Sequence, residues 1–173
     1  NALFNTKSLL EQDVLALFNY VGTPTSKAVM ATVASHTVPF ITPFTGADFL
    51  RHKEAVNIFN FRASYEQESE AQMDYLVNTL GLKSIGILIQ ADEFGLALEK
   101  YHLQAFKRHG LTPVVMTRYK RNTIDVKRVA RKIAKANLEA VLFVGTYHPL
   151  NEVIRLIAAR GQSPVFASVS FIS

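Results

Sequence analysis

The stretch Ile85-Gly-Ile-Leu-Ile89 decides the fold class of this chain. An uninterrupted apolar run of this length is typical of a parallel strand that is covered on both faces. A helix is predicted over 94–108 with Gly110 as its stop, and a second apolar run at 140–144 repeats the pattern. Short apolar strands alternating with helices of about 11 to 16 residues predict right-handed βαβ units. We therefore expect an α/β fold with parallel, doubly wound, three-layer sheets.

The same alternation of apolar runs and helical patterns predicts the other strands and helices, both before and after residues 85–89. Further strands are predicted at 14–18, 38–41, 113–117 and 165–168, with an extended crossover at 57–61. Further helices are predicted at 6–12, 24–35, 64–80, 126–136 and 150–160, and the first three of these begin at a capping residue or a proline. The loop-rich first third gives way to longer units near residue 63, so we expect one domain over 1–63 and a second over 64–173.

The amino-acid composition excludes several kinds of functional site. The chain has 173 residues, 49% hydrophobic and 19% charged, with no cysteine and a net charge of +5. Disulfides, cysteine nucleophiles and thiolate metal sites are excluded, and neither a transmembrane run nor a signal peptide is visible. Cationic residues cluster over 118–135, which suits either a nucleic-acid or lipid patch or a solvated helix face. Apolar residues at helical spacing, without interleaved aromatics, favour the solvated face and no nucleic-acid partner.

Two short polar loops each follow an apolar run. Residues 22–26 read Gly-Thr-Pro-Thr-Ser, and residues 42–47 read Thr-Pro-Phe-Thr-Gly-Ala. Both are typical of the carboxyl end of a strand turning into a helix, which is where open α/β sheets bind ligands. Small hydroxyl residues and glycine at a helix start leave backbone N–H groups available to an anion. The loops therefore predict a site for a carboxylate or a phosphate.

The order of these motifs resembles the type I periplasmic binding-protein family. The likeness runs through 22–26 and 43–47, then Asn57-Ile-Phe-Asn-Phe-Arg-Ala-Ser64, Gln90-Ala-Asp-Glu-Phe-Gly95 and Val144-Gly-Thr-Tyr147. More narrowly, it is similar to the branch that binds leucine, isoleucine, valine and related amino acids or amides for ABC transporters. The same family supplies extracellular receptor and sensor domains.

The resemblance implies two doubly wound lobes with the ligand clamped between them. On that plan 1–63 would be a partial first lobe and 64–173 the second lobe, so the chain is expected to be a fragment. It also implies a periplasmic or extracellular location, a small-molecule ligand and a membrane partner, which is a transporter permease or a signalling protein. No cofactor, metal or catalytic residue is expected, because no nucleophile elbow, zinc motif or phosphate-binding loop is present.

Family binding residues of the first lobe carry over to the two loops. The resemblance implies that Thr23, with Thr25 and Ser26, holds the carboxylate of the ligand through hydroxyl and backbone N–H groups. It implies further contacts from Thr45 and Gly46 in the second loop. The alternative is that these threonines are ordinary helix caps.

Two aromatic residues carry over from the second lobe. Phe94, which precedes a glycine, and Tyr147, which follows a strand end, are implied to close on the ligand. The alternatives are a packing role for Phe94 and an ordinary helix-entry turn at Tyr147. The acidic residue that holds a ligand ammonium in the family falls near Ser170 here, which is not acidic, and Asp92 and Glu93, which are expected close to the cleft edge, could substitute for it.

Three functions follow from these observations. The first is a solute-binding protein that captures a small amino acid, amide or carboxylate for an ABC transporter by hinge closure. The second is the extracellular ligand-sensing domain of a membrane receptor or signalling protein. The third is a nucleotide-binding α/β enzyme whose loops hold phosphate. The first is preferred, and under it the chain is not an enzyme.

Overall fold

In the computed structural model, which describes residues 2–53 and 55–172, the strands form two separate parallel sheets. The chain divides into two compact units, Asn1–Ser64 and Tyr65–Ser173. Each unit has its own sheet, flanked by the helices that connect its strands. The predicted α/β fold with parallel sheets is confirmed.

The first unit holds a sheet of three two-residue strands in the order β1-β2-β3. Its elements are α1 (Ala2–Leu10), β1 (Leu17–Phe18), α2 (Thr23–Ala34), β2 (Phe40–Ile41), a 3₁₀ turn (Asp48–Leu50) and β3 (Ile58–Phe59). Apolar residues from β1, α2, β2 and the 3₁₀ turn form its core, namely Leu17, Val29, Val33, Phe40 and Leu50. Because β1 and β2 run parallel, the two polar loops leave the same edge of this sheet.

The second unit holds a sheet of four longer parallel strands. Its elements are α3 (Tyr65–Asp74), a π-helical turn (Tyr75–Thr79), β4 (Ile85–Gln90), α4 (Glu93–Arg108), β5 (Met116–Tyr119), α5 (Lys127–Ala136), β6 (Ala140–Val144), α6 (Tyr147–Ala158), β7 (Val165–Ser168) and a 3₁₀ turn (Ser170–Ile172). Every residue of β4 and β6 is buried, as the uninterrupted apolar runs at 85–89 and 140–144 predict. On α5 the basic residues are exposed and the apolar residues Val129, Ala130, Ile133 and Ala134 are buried, as the helical spacing predicts.

The strand order of this second sheet is β5-β4-β6-β7. The chain first moves from β4 to β5 on one side and then returns to β6 on the other side of β4. The carboxyl ends of β4 and β6 therefore form the topological switch point, where the loops that follow the strands diverge and leave a crevice. The residues that follow these two strands, 91–95 and 145–147, are the ones placed at that crevice.

Several predicted boundaries are wrong for identifiable reasons. The strand predicted at 113–117 is displaced to Met116–Tyr119, because β5 is an edge strand and includes the polar Thr117 and Arg118. The helix predicted at 150–160 begins at Tyr147, since Pro149 lies in its first turn, where no backbone N–H is needed.

The first two elements also differ from prediction. The helix predicted from a cap at Thr6 already begins at Ala2, and the buried hydroxyl of Thr6 donates to the carbonyl of Ala2 at 2.8 Å, as threonines within helices do. The strand predicted over 14–18 is reduced to Leu17–Phe18, the only residues of that run that pair with β2, while Leu15 is exposed.

Candidate functional site

The two polar loops of the first unit lie side by side. Val21 and Phe44 form a parallel bridge, the N–H of Phe44 donates to the carbonyl of Tyr20 at 2.8 Å, and the N–H of Gly22 donates to the carbonyl of Phe44 at 3.2 Å. These bonds extend the pairing of β1 and β2 beyond the strands themselves. They hold the start of α2 beside the loop that contains Thr45.

A pair of buried hydroxyl groups joins the two loops. The Oγ1 atoms of Thr23 and Thr45 are 2.8 Å apart, and each side chain is almost fully buried. The N–H of Ala47 also donates to Oγ1 of Thr45 at 3.3 Å. The structure thus brings together the two threonines that sequence analysis selected from separate loops.

The start of α2 offers backbone donors at this edge. Gly22 occupies the capping position with φ of 97°, a conformation that favours glycine, and it has no side chain to accept from the first N–H groups of the helix. Within the described residues, the buried Oγ of Ser26 has no hydrogen-bond partner. Thr25 is half-buried and Gly46 is buried. This arrangement of hydroxyls and a helix N-terminus suits an anion.

Asp92 organises the carboxyl edge of the second unit. Its Oδ1 accepts from the N–H groups of Phe94 and Gly95, both at 3.1 Å, and so caps α4. Its Oδ2 accepts from Nε2 of Gln90 at 2.7 Å and lies 3.6 Å from Nε of Arg121. Both carboxylate oxygens are engaged inside the unit, which leaves Asp92 poorly suited to hold a ligand ammonium.

The side chain of Tyr119 lies at the carboxyl ends of β4 and β6. Sequence analysis did not select this residue. Its hydroxyl donates to Oε1 of Gln90 at 3.4 Å and accepts from the backbone N–H of Thr146. Burial raises the pKa of the Tyr119 phenol, so the group stays neutral. A β-carbon on Gly145 would lie 1.8 Å from this hydroxyl oxygen, so glycine there makes room for the tyrosine. Gly145, directly after β6, was the sequence feature that could have indicated this close contact. Its partner Tyr119 ends a different strand, β5, so sequence alone did not connect the two residues.

The two aromatic candidates of the second unit have different surroundings. Phe94 is 4% exposed, and its ring centroid lies 5.8 Å from that of Tyr65 and 5.0 Å from that of Phe171. Tyr147 is 54% exposed and its centroid lies 3.8 Å from that of His148. The structure therefore packs Phe94 among aromatic neighbours of its own unit and presents Tyr147 to solvent.

A carboxylate lies beside Ser170, the position at which the family resemblance implies an acidic residue. The backbone N–H and the hydroxyl of Ser170 donate to the two carboxylate oxygens of Glu68, at 2.7 and 2.9 Å. Glu68 comes from α3, more than a hundred positions earlier in the chain. Sequence analysis missed this pairing, because no local pattern connects the two residues.

Neither a metal centre nor a membrane span is found in the described residues. Over 2–53 and 55–172, no three His, Asp or Glu side chains are grouped in a way that could hold a metal ion. None of the helices in those same ranges has the length and apolar character needed to cross a membrane.

Comparison with known proteins adds the family context. A sequence model described as "Periplasmic binding protein" matches residues 2–171. Among solved structures, the chain is 35% identical to "a possible leucine/isoleucine/valine-binding protein" from Rhodopirellula baltica SH 1, with a TM-score of 0.88 and coverage of 99% of this chain and 48% of that one. No curated protein matches the chain.

Two further solved structures have the same fold. A substrate-binding periplasmic protein from Ralstonia solanacearum is 28% identical, with a TM-score of 0.87 and coverage of 99% of this chain and 48% of that one. A solute-binding protein of an ABC transporter from R. palustris, in complex with benzoate, is 17% identical, with a TM-score of 0.86 and the same coverage. At that identity the likeness concerns the fold alone. The chain spans about half the length of each of these structures.

Proposed function

The chain belongs to the periplasmic binding protein family, and on that premise we propose that it captures a small amino acid, amide or carboxylate for an ABC transporter. The partner in the membrane is the transporter permease, and the location is the periplasm or the extracellular side. Members of this family are binding proteins, and the proposal assigns no catalytic residue to this chain.

The observation that carries the proposal is the buried hydroxyl pair of Thr23 and Thr45 at the edge of the first sheet. The Oγ1 atoms of Thr23 and Thr45, which belong to different loops, are 2.8 Å apart and lie next to the N-terminus of α2. Hydroxyl groups and backbone N–H donors are therefore close together at this edge. Such donors bind carboxylates well, because bonds to an ionised acceptor contribute about 1.5 to 3 kcal/mol each. A carboxylate-bearing solute is therefore the ligand class that this edge favours.

We assign the ligand contacts to residues of both lobes. The partial first lobe, 1–63, contributes the hydroxyl and backbone groups of Thr23, Thr25, Ser26, Thr45 and Gly46. The second lobe, 64–173, contributes the aromatic side chains of Phe94 and Tyr147. A ligand that binds groups on both lobes favours the closed state in proportion to its extra affinity for that state. Closure is the signal that the transporter would recognise.

A thermal-shift screen of the full-length protein tests the proposal. The panel contains aliphatic amino acids, amides, short carboxylates and phosphates. A ligand at 100 times its dissociation constant adds about 2.7 kcal/mol of stability, which raises Tm by several degrees. We expect hits among the amino acids, amides or carboxylates. Hits with phosphates alone would instead favour the nucleotide-binding alternative, and no hit at all would favour a sensor domain with another ligand.

A further inference from the structure

The strand β5 forms one edge of the sheet in the second unit, and within residues 2–53 and 55–172 it pairs with β4 alone. The carbonyls of Val115 and Tyr119 each accept at 2.8 Å from backbone N–H groups of β4 and the residue that follows it. Backbone groups alternate in direction along a strand, so the N–H and C=O of Met116 and Arg118 point away from the sheet. These outward groups can pair with a further strand.

A cavity of about 460 Å³ runs along this edge. On one face of the sheet its lining comes from two paired positions of β4 and β5, namely Ile87, Ile89, Met116 and Arg118. Thr117 also lines the cavity, and its side chain lies on the opposite face because side chains alternate along a strand. A lining from both faces places the cavity beside the edge, which is where an added strand would lie.

A helix borders the cavity on each face of the sheet. The helix α4 contributes Glu99, whose two carboxylate oxygens accept from Nε and Nη2 of Arg118 at 3.0 and 2.7 Å. The helix α5 contributes Arg128 and Lys132, which are exposed and lie four positions apart on the same side of that helix. Three cations and one carboxylate therefore line the cavity and make it electropositive.

The two cations on α5 have donors for an incoming carboxylate. Nζ of Lys132 donates to the outward carbonyl of Met116 at 2.9 Å and has two further N–H groups. In the part of the chain that the structure describes, Arg128 makes no hydrogen bond and no ion pair. Arg128 also lies in the first turn of α5, where the helix dipole disfavours a cation and favours a bound anion.

We propose that the edge of β5 binds an extended, acidic peptide segment of a partner protein as an additional strand. Backbone hydrogen bonds to Met116 and Arg118 hold the segment, and its carboxylates contact Arg128 and Lys132. A second copy of β5 fits poorly, because it would bring two cation-lined edges together. Anionic lipids and nucleic acids have no peptide groups to pair with this edge. The site lies within the second unit and does not depend on the threonine pair of the first unit.

Fluorescence polarisation on the full-length protein tests the inference with labelled peptides. The acidic probe is Thr-Glu-Val-Glu-Val-Glu-Thr with blocked ends, and the neutral and basic probes have Gln or Lys in place of Glu. We expect the acidic probe to bind about 5- to 30-fold more tightly than the neutral probe, and the basic probe not to bind. Acidic probes with N-methyl groups at either the odd or the even positions test the strand pairing. One of these two sets should abolish binding and the other should not.

A pair of double variants tests the role of the cations. Arg128→Gln combined with Lys132→Gln should weaken binding of the acidic probe by about 5- to 30-fold and leave binding of the neutral probe unchanged. The matched control combines Arg131→Gln with Lys135→Gln, which removes two exposed cations at the same spacing from α5 but outside the cavity lining. The control should bind every probe as wild type does.

Several outcomes would overturn the inference and leave the proposed ligand site unaffected. Equal weakening by the two double variants, or binding that neither set of N-methyl groups affects, would mean that general charge rather than the strand edge binds the probe. No binding of the acidic probe to wild type, with or without binding of phosphatidylglycerol vesicles, would also overturn it. A wild-type dimer in sedimentation experiments that excludes the probe would assign the edge to a second copy instead.

Discussion

The hydroxyl oxygen of Thr23 lies 2.8 Å from that of Thr45, although 22 positions separate the two residues in the chain. Both side chains are buried, so neither hydroxyl can exchange this bond for one to bulk water. A buried polar group that loses its partner costs about 1 to 3 kcal/mol. The contact therefore contributes to the stability of the first unit and also positions the hydroxyl groups at its carboxyl edge.

A double-mutant cycle at this pair has a defined outcome. Thr23→Val and Thr45→Val should each lower the free energy of unfolding by about 1 to 2 kcal/mol, because each leaves a buried hydroxyl without this bond. The double variant should lose about 1 kcal/mol less than the sum. Urea unfolding measures all three, and Thr112→Val, at an exposed position, is the control. Strict additivity would mean that the two hydroxyls do not interact.

Removal of the Thr23 hydroxyl should also affect ligand binding. Thr23→Ala should weaken the affinity for a carboxylate ligand by about 1 to 3 kcal/mol, because a charged acceptor loses a donor. Isothermal titration of the full-length protein with the acid found in the screen measures this change. Thr112→Ala should bind as wild type does. Equal affinities for Thr23→Ala and wild type would remove Thr23 from the site.

The contact of Tyr119 with Gly145 leads to a prediction of partial rescue. Gly145→Ala should cost about 2 to 3 kcal/mol, because the added methyl overlaps the Tyr119 hydroxyl. Tyr119→Phe should cost about 1 kcal/mol through its lost hydrogen bonds. The double variant should lose less than the sum, since removing the hydroxyl relieves part of the overlap. Chemical denaturation of the four proteins checks this, and a loss greater than the sum would contradict it.

Asp92 should stabilise the second unit through its cap on α4. Asp92→Ala removes the acceptor of two backbone N–H groups, and we expect a loss of about 1 to 2 kcal/mol in unfolding free energy. Asp92→Asn keeps an acceptor oxygen and should lose less. Asp125→Ala, at an exposed position, should stay within about 0.5 kcal/mol of wild type. A loss for Asp92→Ala no larger than that of the control would exclude a capping role.

His102 makes stability depend on pH. Burial lowers the pKa of His102 from 6.5 to about 3, so the folded protein holds this imidazole neutral. The unfolded chain binds the proton first as pH falls below about 6.5, so stability should be full above that pH and decline below it. Over the 1.5 pH units down to pH 5 the loss from this group is about 2 kcal/mol.

Urea unfolding at pH 7 and pH 5 measures this dependence. His102→Met, which fills the space without a titrating group, should reduce the difference between the two pH values. His36→Gln, which replaces an exposed histidine, is the matched control. An unchanged pH dependence in His102→Met would show that the imidazole is protonated, or solvated, in the folded state.

Much of the fold could be predicted from local sequence. The strands β4 and β6 coincide with uninterrupted apolar runs because both of their faces are covered. The strand β5 was misplaced because it lies at the edge of the sheet, paired on one side only, and includes the exposed Arg118, which pairs with Glu99 at 2.7 Å. The start of α1 was missed because Thr6, which looks like a cap, lies within the helix.

The candidate site could be predicted only in part. The loops that contain Thr23 and Thr45 were recognisable from small hydroxyl residues and glycine after apolar runs. Their direct contact was not predictable, because strand pairing between β1 and β2 creates it. The bonds from Ser170 to Glu68 and the position of the Arg62 guanidinium above the Phe44 ring were not predictable either, because each contact joins residues that are distant in sequence.

Local sequence specifies the alternation of strands and helices, the buried character of the central strands and the nature of the two polar loops. These properties depend on side-chain hydrophobicity and backbone preference within a few neighbouring residues. The strand order, the switch point between β4 and β6, and the contacts of Thr23, Tyr119 and Arg62 instead depend on long-range packing. Those relationships arise when strands distant in sequence pair, because pairing brings their carboxyl ends, and the side chains that follow them, to one edge.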